Sequence, residues 1–353
     1  MILSGKRVLI TGGTGSLGKT LVKRILAAEM GQPSKITIFS RDEAKQHDMR
    51  VAYKNKSVAT DDIIYHNFDQ LVEFIIGDVR NFHSVASVIK DADIIFNTAA
   101  LKQVPACEYF PFEAVQTNII GPENIVRALR EHNLNGKTVI GISTDKACKP
   151  VNVMGMTKAI QERIFIQANL TCPQNRFIVV RYGNVLASRG SVIPLFHEQI
   201  KSGGPITITT EEMTRFLLSL NDAVNVIFAA LNSANRGETY IPRVPASRIT
   251  DIARALIGDR DIPIVITGIR PGEKVHEILI SEEECHRTVL RGNYYVIKSI
   301  LPELQRNPEE PIALTGEYSS SSSLMNFEEA YALLERENLL INEDLKAKEE
   351  LLR

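Results

Sequence analysis

Thr11-Gly12-Gly13-Thr14-Gly15-Ser16-Leu17-Gly18 is the stretch from which the fold is read. It follows an apolar run, Arg7–Thr11, that reads as a strand, and it opens Gly18–Ala28, whose apolar spacing reads as a helix. Glycine at Gly12, Gly15 and Gly18 lets the backbone turn sharply. It also keeps side chains away from the free N–H groups and positive dipole end of the helix, where a pyrophosphate binds. Thr14, Ser16 and Leu17 share the turn and are expected to touch the same dinucleotide. A glycine-rich turn alone is a weak signal; a strand before it and a helix after it make it a strong one.

Outward from this unit, short apolar runs alternate with amphipathic stretches. Strands are predicted at Arg7–Thr11, Lys35–Phe39, Glu73–Gly77, Ile94–Asn97, Thr138–Ser143 and Phe177–Arg181. Helices are predicted near Gly18–Ala28, His83–Lys90, Pro122–His132 and Thr157–Asn169. That alternation predicts an α/β fold, a Rossmann-like doubly wound parallel sheet. Beyond Tyr182 it breaks up at Ser202–Pro205, Pro242–Pro245 and Arg270–Gly272, which predicts a smaller C-terminal α/β substrate-binding lobe. The expected division is residues 1–185 for the nucleotide-binding domain, joined by some later segments, 186–318 mainly for the lobe, and 319–353 for a helical tail. Lys54–Asp69 reads as an insertion, Ser319–Ser323 as a loop, Glu282–Glu284 as a solvated turn and Asn326–Glu337 as a helix. The charged Glu343–Arg353 end reads as a frayed helix or an oligomer contact.

With 353 residues, 44% hydrophobic and 24% charged, the chain has ample core-building capacity and the composition of a globular protein. A net charge of −1 argues against nucleic acid as a partner. No apolar run is long enough for membrane insertion and no signal peptide is evident, so a cytoplasmic location is expected. Cys107, Cys148, Cys172 and Cys285 lack metal or disulfide spacing, and the dispersed histidines include no ligand pattern, so no metal is expected. Cys148 draws interest because it lies beside Ser143-Thr144-Asp145-Lys146.

The second strand ends Phe39-Ser40-Arg41, a hydroxyl and a guanidinium suited to a 2′-phosphate, where an NAD site usually has a carboxylate. Lys45 adds a cation, while Asp42 and Glu43 act against it; NADP is expected, with NAD the alternative. Asp145 and Lys146, side by side at the open end of the fifth strand, form a candidate acid/base pair. Taken singly, Arg215 and Arg270 are as readily surface residues as ligands for phosphate.

The GxxGxxG spacing resembles that of the short-chain dehydrogenase/reductase superfamily. There, a third-strand end such as Gly77-Asp78-Val79 cradles adenine, and small residues such as Ala99 and Ala100 at the end of the fourth admit the cofactor. Its YxxxK motif corresponds to Met154 and Lys158, and a thioether carries no proton. TGGTGSLG, FSRDE, AALKQVPACE, STDKACKPVNVMGMTK, RYGNVLASRGSVIP, EMTRF and RPGEKVHE together resemble the polysaccharide-biosynthesis branch, which includes C5-inverting UDP-N-acetylglucosamine 4,6-dehydratases. The resemblance runs from about Gly5 to Glu277 and covers members with methionine at the tyrosine position.

The resemblance implies transient oxidation at C4 of the hexose, loss of water across C5–C6 and return of hydride to C6. It assigns Lys146 as the base at C5, Asp145 as the acid for the departing 6-hydroxyl and Lys158 to the ribose. Thr144, Ser143 or Lys146 through water are candidates for deprotonating the C4 hydroxyl. Lys102 is expected to line the site. Arg215 and Arg270 are assigned to the UDP diphosphate, Asn184, Ser191 and Val192 to the sugar and first phosphate, and Glu273 to the uridine ribose. A dimer or hexamer is expected by the same resemblance. The alternatives are a retaining dehydratase, a 4-epimerase, an enzyme stopping at a 5,6-ene, and a non-catalytic NADP sensor.

Overall fold

Val8 and Ile10 enter one buried cluster and Leu9 another, so strand β1 (Arg7–Thr11) is covered on both faces, as parallel strands with crossover helices are. The computed structural model describes residues 1–54, 68–186, 191–305 and 309–341. Most of the Lys54–Asp69 insertion and all of Glu343–Arg353 therefore lie outside the described residues.

The strands that follow are β2 (Lys35–Ser40), β3 (Val72–Ile76), β4 (Ile94–Asn97), β5 (Thr138–Thr144), β6 (Arg176–Tyr182), β7 (Ile206–Ile208), β8 (Thr214–Phe216), β9 (Thr239–Pro242), β10 (Ala246–Arg248), β11 (Ile264–Ile266), β12 (Ile278–Ile280), β13 (Thr288–Arg291), β14 (Tyr294–Ile297) and β15 (Tyr318–Ser319). The helices are α1 (Ser16–Leu26), α2 (Glu43–Lys54), α3 (Phe68–Leu71), α4 (Phe82–Ile89), α5 (Val104–Tyr109), α6 (Pro111–Val115), α7 (Gly121–Glu131), α8 (Val153–Thr171), α9 (Val192–Lys201), α10 (Leu220–Ser233), α11 (Ile249–Ile257), α12 (Glu282–Cys285) and α13 (Phe327–Arg336). A π-turn, Gln116–Ile120, joins α6 to α7.

A nine-stranded sheet runs β3-β2-β1-β4-β5-β6-β9-β14-β13, parallel from β3 to β9 and antiparallel beyond. β1 pairs with both β2 and β4, Val8 lying opposite Ile36 and Ile94, so strand order reverses beside the glycine-rich turn. On one face α1 and α10 cover Val8, Ile10, Ile38 and Ile140; on the other α4, α7 and α8 cover Leu9, Ile95, Val139 and Val179. Three two-stranded sheets, β10-β8, β11-β7 and β12-β15, build the smaller lobe, whose core joins α9, α11 and α13 through Phe196, Ile252, Leu256 and Leu334.

Element edges differ from the sequence reading in ways that have causes. α8 begins at Val153, four residues before the expected Thr157, because Asn152 caps it, its side chain accepting from Gly155 N at 2.8 Å. Ser319 belongs to a strand rather than a loop, and the Ser320 hydroxyl accepts from Glu277 N at 2.9 Å. Glu282–Glu284 is solvated only in part: Glu282 and Glu283 are exposed, but the segment opens α12 with a capping box and Glu284 is buried.

Candidate active site

The end of β1 and the end of β4 approach so closely that a Cβ on Gly12 would lie 2.8 Å from the Ala99 Cα. Gly12 also has φ +67°, a region side chains disfavour, so the turn requires glycine there. α1 then begins at Ser16 with no side chain bonded across its start and no acidic residue in its first turn. Its first-turn amides, with buried Thr14 beside them, form a cradle suited to a dinucleotide pyrophosphate.

At the end of β2, Ser40 is buried and held by Gln46 Nε2 at 3.0 Å, whereas the Arg41 side chain is 58% exposed. Lys45 is drawn onto Asp42. Asp78 is lowered: burial pushes it up, but hydrogen bonds from Arg80 override that, with Arg41 4.0 Å away. Arg80, not singled out in the sequence, also reaches Glu113 at 2.6 Å. The Val79 carbonyl accepts from Asn124 Nδ2 at 2.9 Å, and Ala100 is exposed.

β5 ends in a 3-10 turn, Asp145–Ala147, against which α8 lies so tightly that a Cβ on Gly155 would overlap the Lys146 carbonyl. The buried Asp145 Oδ1 accepts from Thr144 Oγ1 at 2.7 Å and from Lys146 Nζ at 3.1 Å; its Oδ2 is enclosed without a partner. Lys146 Nζ also donates to Asn184 Oδ1 at 3.1 Å and meets Glu277 Oε1 at 3.3 Å. Burial acts to lower the Lys146 amine, but Asp145 and Glu277 outweigh it and raise it above the usual lysine value. Glu277, in the RPGEKVHE stretch, carried no assigned role in the sequence reading.

Met154 occupies its place in α8 inside a small apolar cluster with Cys107 and Ala114. Lys158, one turn on, is 5% exposed and donates to the Ile142 carbonyl and to Gln161 Oε1, the latter at 2.7 Å. Burial pushes its amine down to about 7, opposed by the charge of Glu162. Ser143 turns inward to Glu162 Oε1 at 2.5 Å, away from the Asp145–Lys146 pair's other partners. Arg181 bridges Glu162 and Glu284 at 2.6 and 2.7 Å, tying β6 to α12. Cys148 is buried against Glu284, and burial pushes its thiol up to about 12, so it is no nucleophile in this setting.

Arg215 on β8 is 8% exposed; it donates to the Thr214, Lys274 and Val275 carbonyls and lies 3.8 Å from Glu277. Arg270 is exposed on the loop before Gly272, whose carbonyl accepts from Asn152 Nδ2 at 2.9 Å. Glu273 accepts from Thr209 Oγ1 at 3.2 Å. Ser191 caps α9 ahead of Val192, its hydroxyl buried without a partner. Lys102 is exposed on a loop whose Leu101 is pinned in both directions by Asn118 of the π-turn, at 2.9 Å each. A π-turn at that point is a signal that periodicity does not carry. Among the described residues, no cluster of His, Cys, Asp and Glu could hold a metal, and no helix is long and apolar enough to cross a membrane.

The profile of a family described as polysaccharide biosynthesis protein matches residues 8–299. A protein of Rickettsia bellii (strain OSU 85-389), named UDP-glucose 4-epimerase, is 43% identical over 340 residues, covering 93% of this chain and 95% of that one. A protein of Campylobacter jejuni (strain 81-176), named UDP-N-acetylglucosamine 4,6-dehydratase (inverting), is 40% identical over 319 residues, 90% of each chain. Among solved structures, Pen from Bacillus thuringiensis superposes with a TM-score of 0.84 at 33% identity, over 96% of this chain and 100% of its own.

Proposed function

The chain belongs to the polysaccharide biosynthesis protein family, and from that premise we propose that it is a C5-inverting UDP-N-acetylglucosamine 4,6-dehydratase using NADP. One observation carries the reading: a buried carboxylate and an amine, Asp145 and Lys146, stand 3.1 Å apart at the open end of β5, next to the first turn of α8. An epimerase has no water to eliminate and needs no such pair.

A bound nicotinamide dinucleotide would accept hydride from C4 and return it to C6. Gly12, Thr14, Gly15, Ser16, Leu17 and Gly18 would hold its pyrophosphate, Asp78, Val79, Ala99 and Ala100 its adenine side, Ser40, Arg41 and Lys45 its 2′-phosphate, and Lys158 its ribose. Thr144, hydrogen-bonded to Asp145 at 2.7 Å, suits passage of the C4-hydroxyl proton to that carboxylate. Asp145 then protonates the departing 6-hydroxyl, and Lys146 takes the C5 proton. Arg215 and Arg270 would bind the diphosphate, with Asn184, Ser191, Val192, Lys102 and Glu273 around the sugar and uridine. In this reading residues 1–185 serve chiefly the cofactor and 186–318 the UDP-sugar, with 319–353 closing the chain; a cytoplasmic dimer or hexamer is the form we infer.

A UDP-hexose 4-epimerase is the second reading, favoured by the name of the Rickettsia relatives. Incubation with UDP-N-acetylglucosamine and with UDP-glucose in deuterated water separates the two, read by mass spectrometry and proton NMR. Loss of water with deuterium at an inverted C5 is the expected result. A galacto-configured product of unchanged mass, without C5 exchange, would move the chain to the epimerases.

A further inference from the structure

Lys146 can take a proton from C5 only as a neutral amine, yet its immediate surroundings favour the ammonium. Asp145 lies 3.1 Å from Nζ on one side and Glu277 3.3 Å on the other; Arg215, 3.8 Å from Glu277, and Lys274 are the further charges in the cluster. Glu277 itself is 3% exposed, and its second oxygen, Oε2, is enclosed without a partner. It arrives from the lobe, on the strand-leading segment fixed by the bond from its own N–H to Ser320 Oγ at 2.9 Å. His276 beside it turns the other way, to Thr214 Oγ1 at 2.9 Å.

We propose that Glu277 is a positioning residue that acts through Lys146: it takes the ammonium proton and so delivers the neutral amine that removes the C5 proton. The inference rests on the dehydratase reading. One N–H bond of Lys146 breaks and an O–H bond forms on Glu277 Oε1; both charges vanish and the nitrogen keeps the electron pair. That pair takes the C5 proton, and the ammonium is restored. One proton is then held on Glu277 and one is missing from C5. Water on the opposite face reprotonates C5, the Glu277 carboxyl proton leaves to solvent, and the cycle closes with no net change in protons.

Because the ammonium–carboxylate and amine–carboxyl forms contain the same number of protons, the base is made ready without exchanging a proton with solvent. The wild-type dehydration rate is therefore expected to be flat between about pH 7 and pH 9. Asp145, 3.1 Å from Nζ, is committed to the proton of the C4 hydroxyl, so in Glu277→Gln Lys146 loses its proton to solvent; the rate then falls at least about tenfold near pH 7 and climbs by up to about tenfold per pH unit. Glu277→Asp keeps an acceptor and should restore the flat profile at a lower rate. Deuterium incorporation at C5 and the KM for UDP-N-acetylglucosamine are followed alongside, KM being expected to stay within about threefold. An unchanged rate and profile in Glu277→Gln, a loss equal at every pH, or a sloping profile in Glu277→Asp would overturn the proposal. A wild-type protein that neither dehydrates nor exchanges C5 sinks the dehydratase reading instead. Competitive acetylation of Lys146, read by mass spectrometry across pH, tests the pairing apart from turnover. Its apparent pKa is expected to fall by at least about one unit in Glu277→Gln, and no fall overturns the pairing.

Discussion

Lys158 is an amine kept near its point of deprotonation by burial, which brings it down to about 7 against the opposing charge of Glu162. Its folded value lies below its unfolded one of 10.5, so between these values the unfolded chain holds a proton that the folded chain does not, and stability rises with pH there. Below about 7 both states hold the proton and the cost of a buried ammonium is fully felt. Lys158→Met is therefore expected to stabilise the cofactor-free protein by roughly 2–4 kcal/mol near pH 6, with the gain gone by about pH 10, in urea melts across that range. A wild-type-minus-variant difference independent of pH would contradict it. Arg41 is a second residue with a separable effect, since it is exposed at the end of β2 whereas Lys45 is occupied by Asp42. Arg41→Asp should shift the affinity ratio of NADP to NAD by at least about tenfold toward NAD in calorimetric titrations, through loss of a guanidinium and gain of a repelling carboxylate. An unchanged ratio would remove Arg41 from the proposed 2′-phosphate site.

The start of α8 is the element on which the site depends most directly. Gly155 lets the helix lie on the carbonyl of Lys146, and Asn152 both caps the helix and holds the Gly272 loop. Gly155→Ala must push the Asp145–Ala147 turn aside; we expect at least about a hundredfold loss in kcat for a stability cost of about 1–3 kcal/mol, read by rate and thermal melt together. Normal kcat with a lowered melting temperature would mean the contact is only packing. Most of this half of the molecule is legible in the sequence, because parallel strands covered on both faces appear as continuous apolar runs: β1 and β4 match their predicted limits, β5 extends its range by a residue at one end and β6 by a residue at each end. The glycine turn and the Asp145–Lys146 pair are legible for the same local reason. At the start of α8 the cap Asn152 is readable, but the buried positions that follow, Met154, Gly155, Thr157 and Lys158, are mostly not apolar, so no apolar stripe marks the first turn. The π-turn at Gln116–Ile120 has no such signature, and Glu277 reaches Lys146 only through the fold, 131 residues away in numbering from 146 to 277.

At the scale of the whole molecule, the late strands explain what local reading leaves out. β9, β14 and β13, drawn from residues 239–297, extend the main sheet beyond β6, a pairing set by long-range contacts rather than by local spacing. They bring α12 against β6, where Arg181, 2% exposed, sits between Glu162 and Glu284 and donates also to the Leu279 carbonyl at 2.8 Å. A buried ion triad need not add net stability, but removing Arg181 leaves two carboxylates enclosed together, offset in part by Arg287, 3.8 Å from Glu284. Arg181→Met is expected to cost about 3–5 kcal/mol in denaturant melts near neutral pH. The sign of the pH dependence follows from Glu284: burial pushes it up, but Arg181 overrides this and holds it at about 2, below its ordinary 4.5. Its contribution is thus present above about pH 4.5 and is lost as pH falls toward 2. The variant loses the partner that holds Glu284 down, so the wild-type advantage should shrink steadily over that acid range and be small near its lower end. An advantage that stays constant down to the point of acid unfolding would mean that Arg181 contributes by packing alone, and that the join between sheet and lobe is not held by charge.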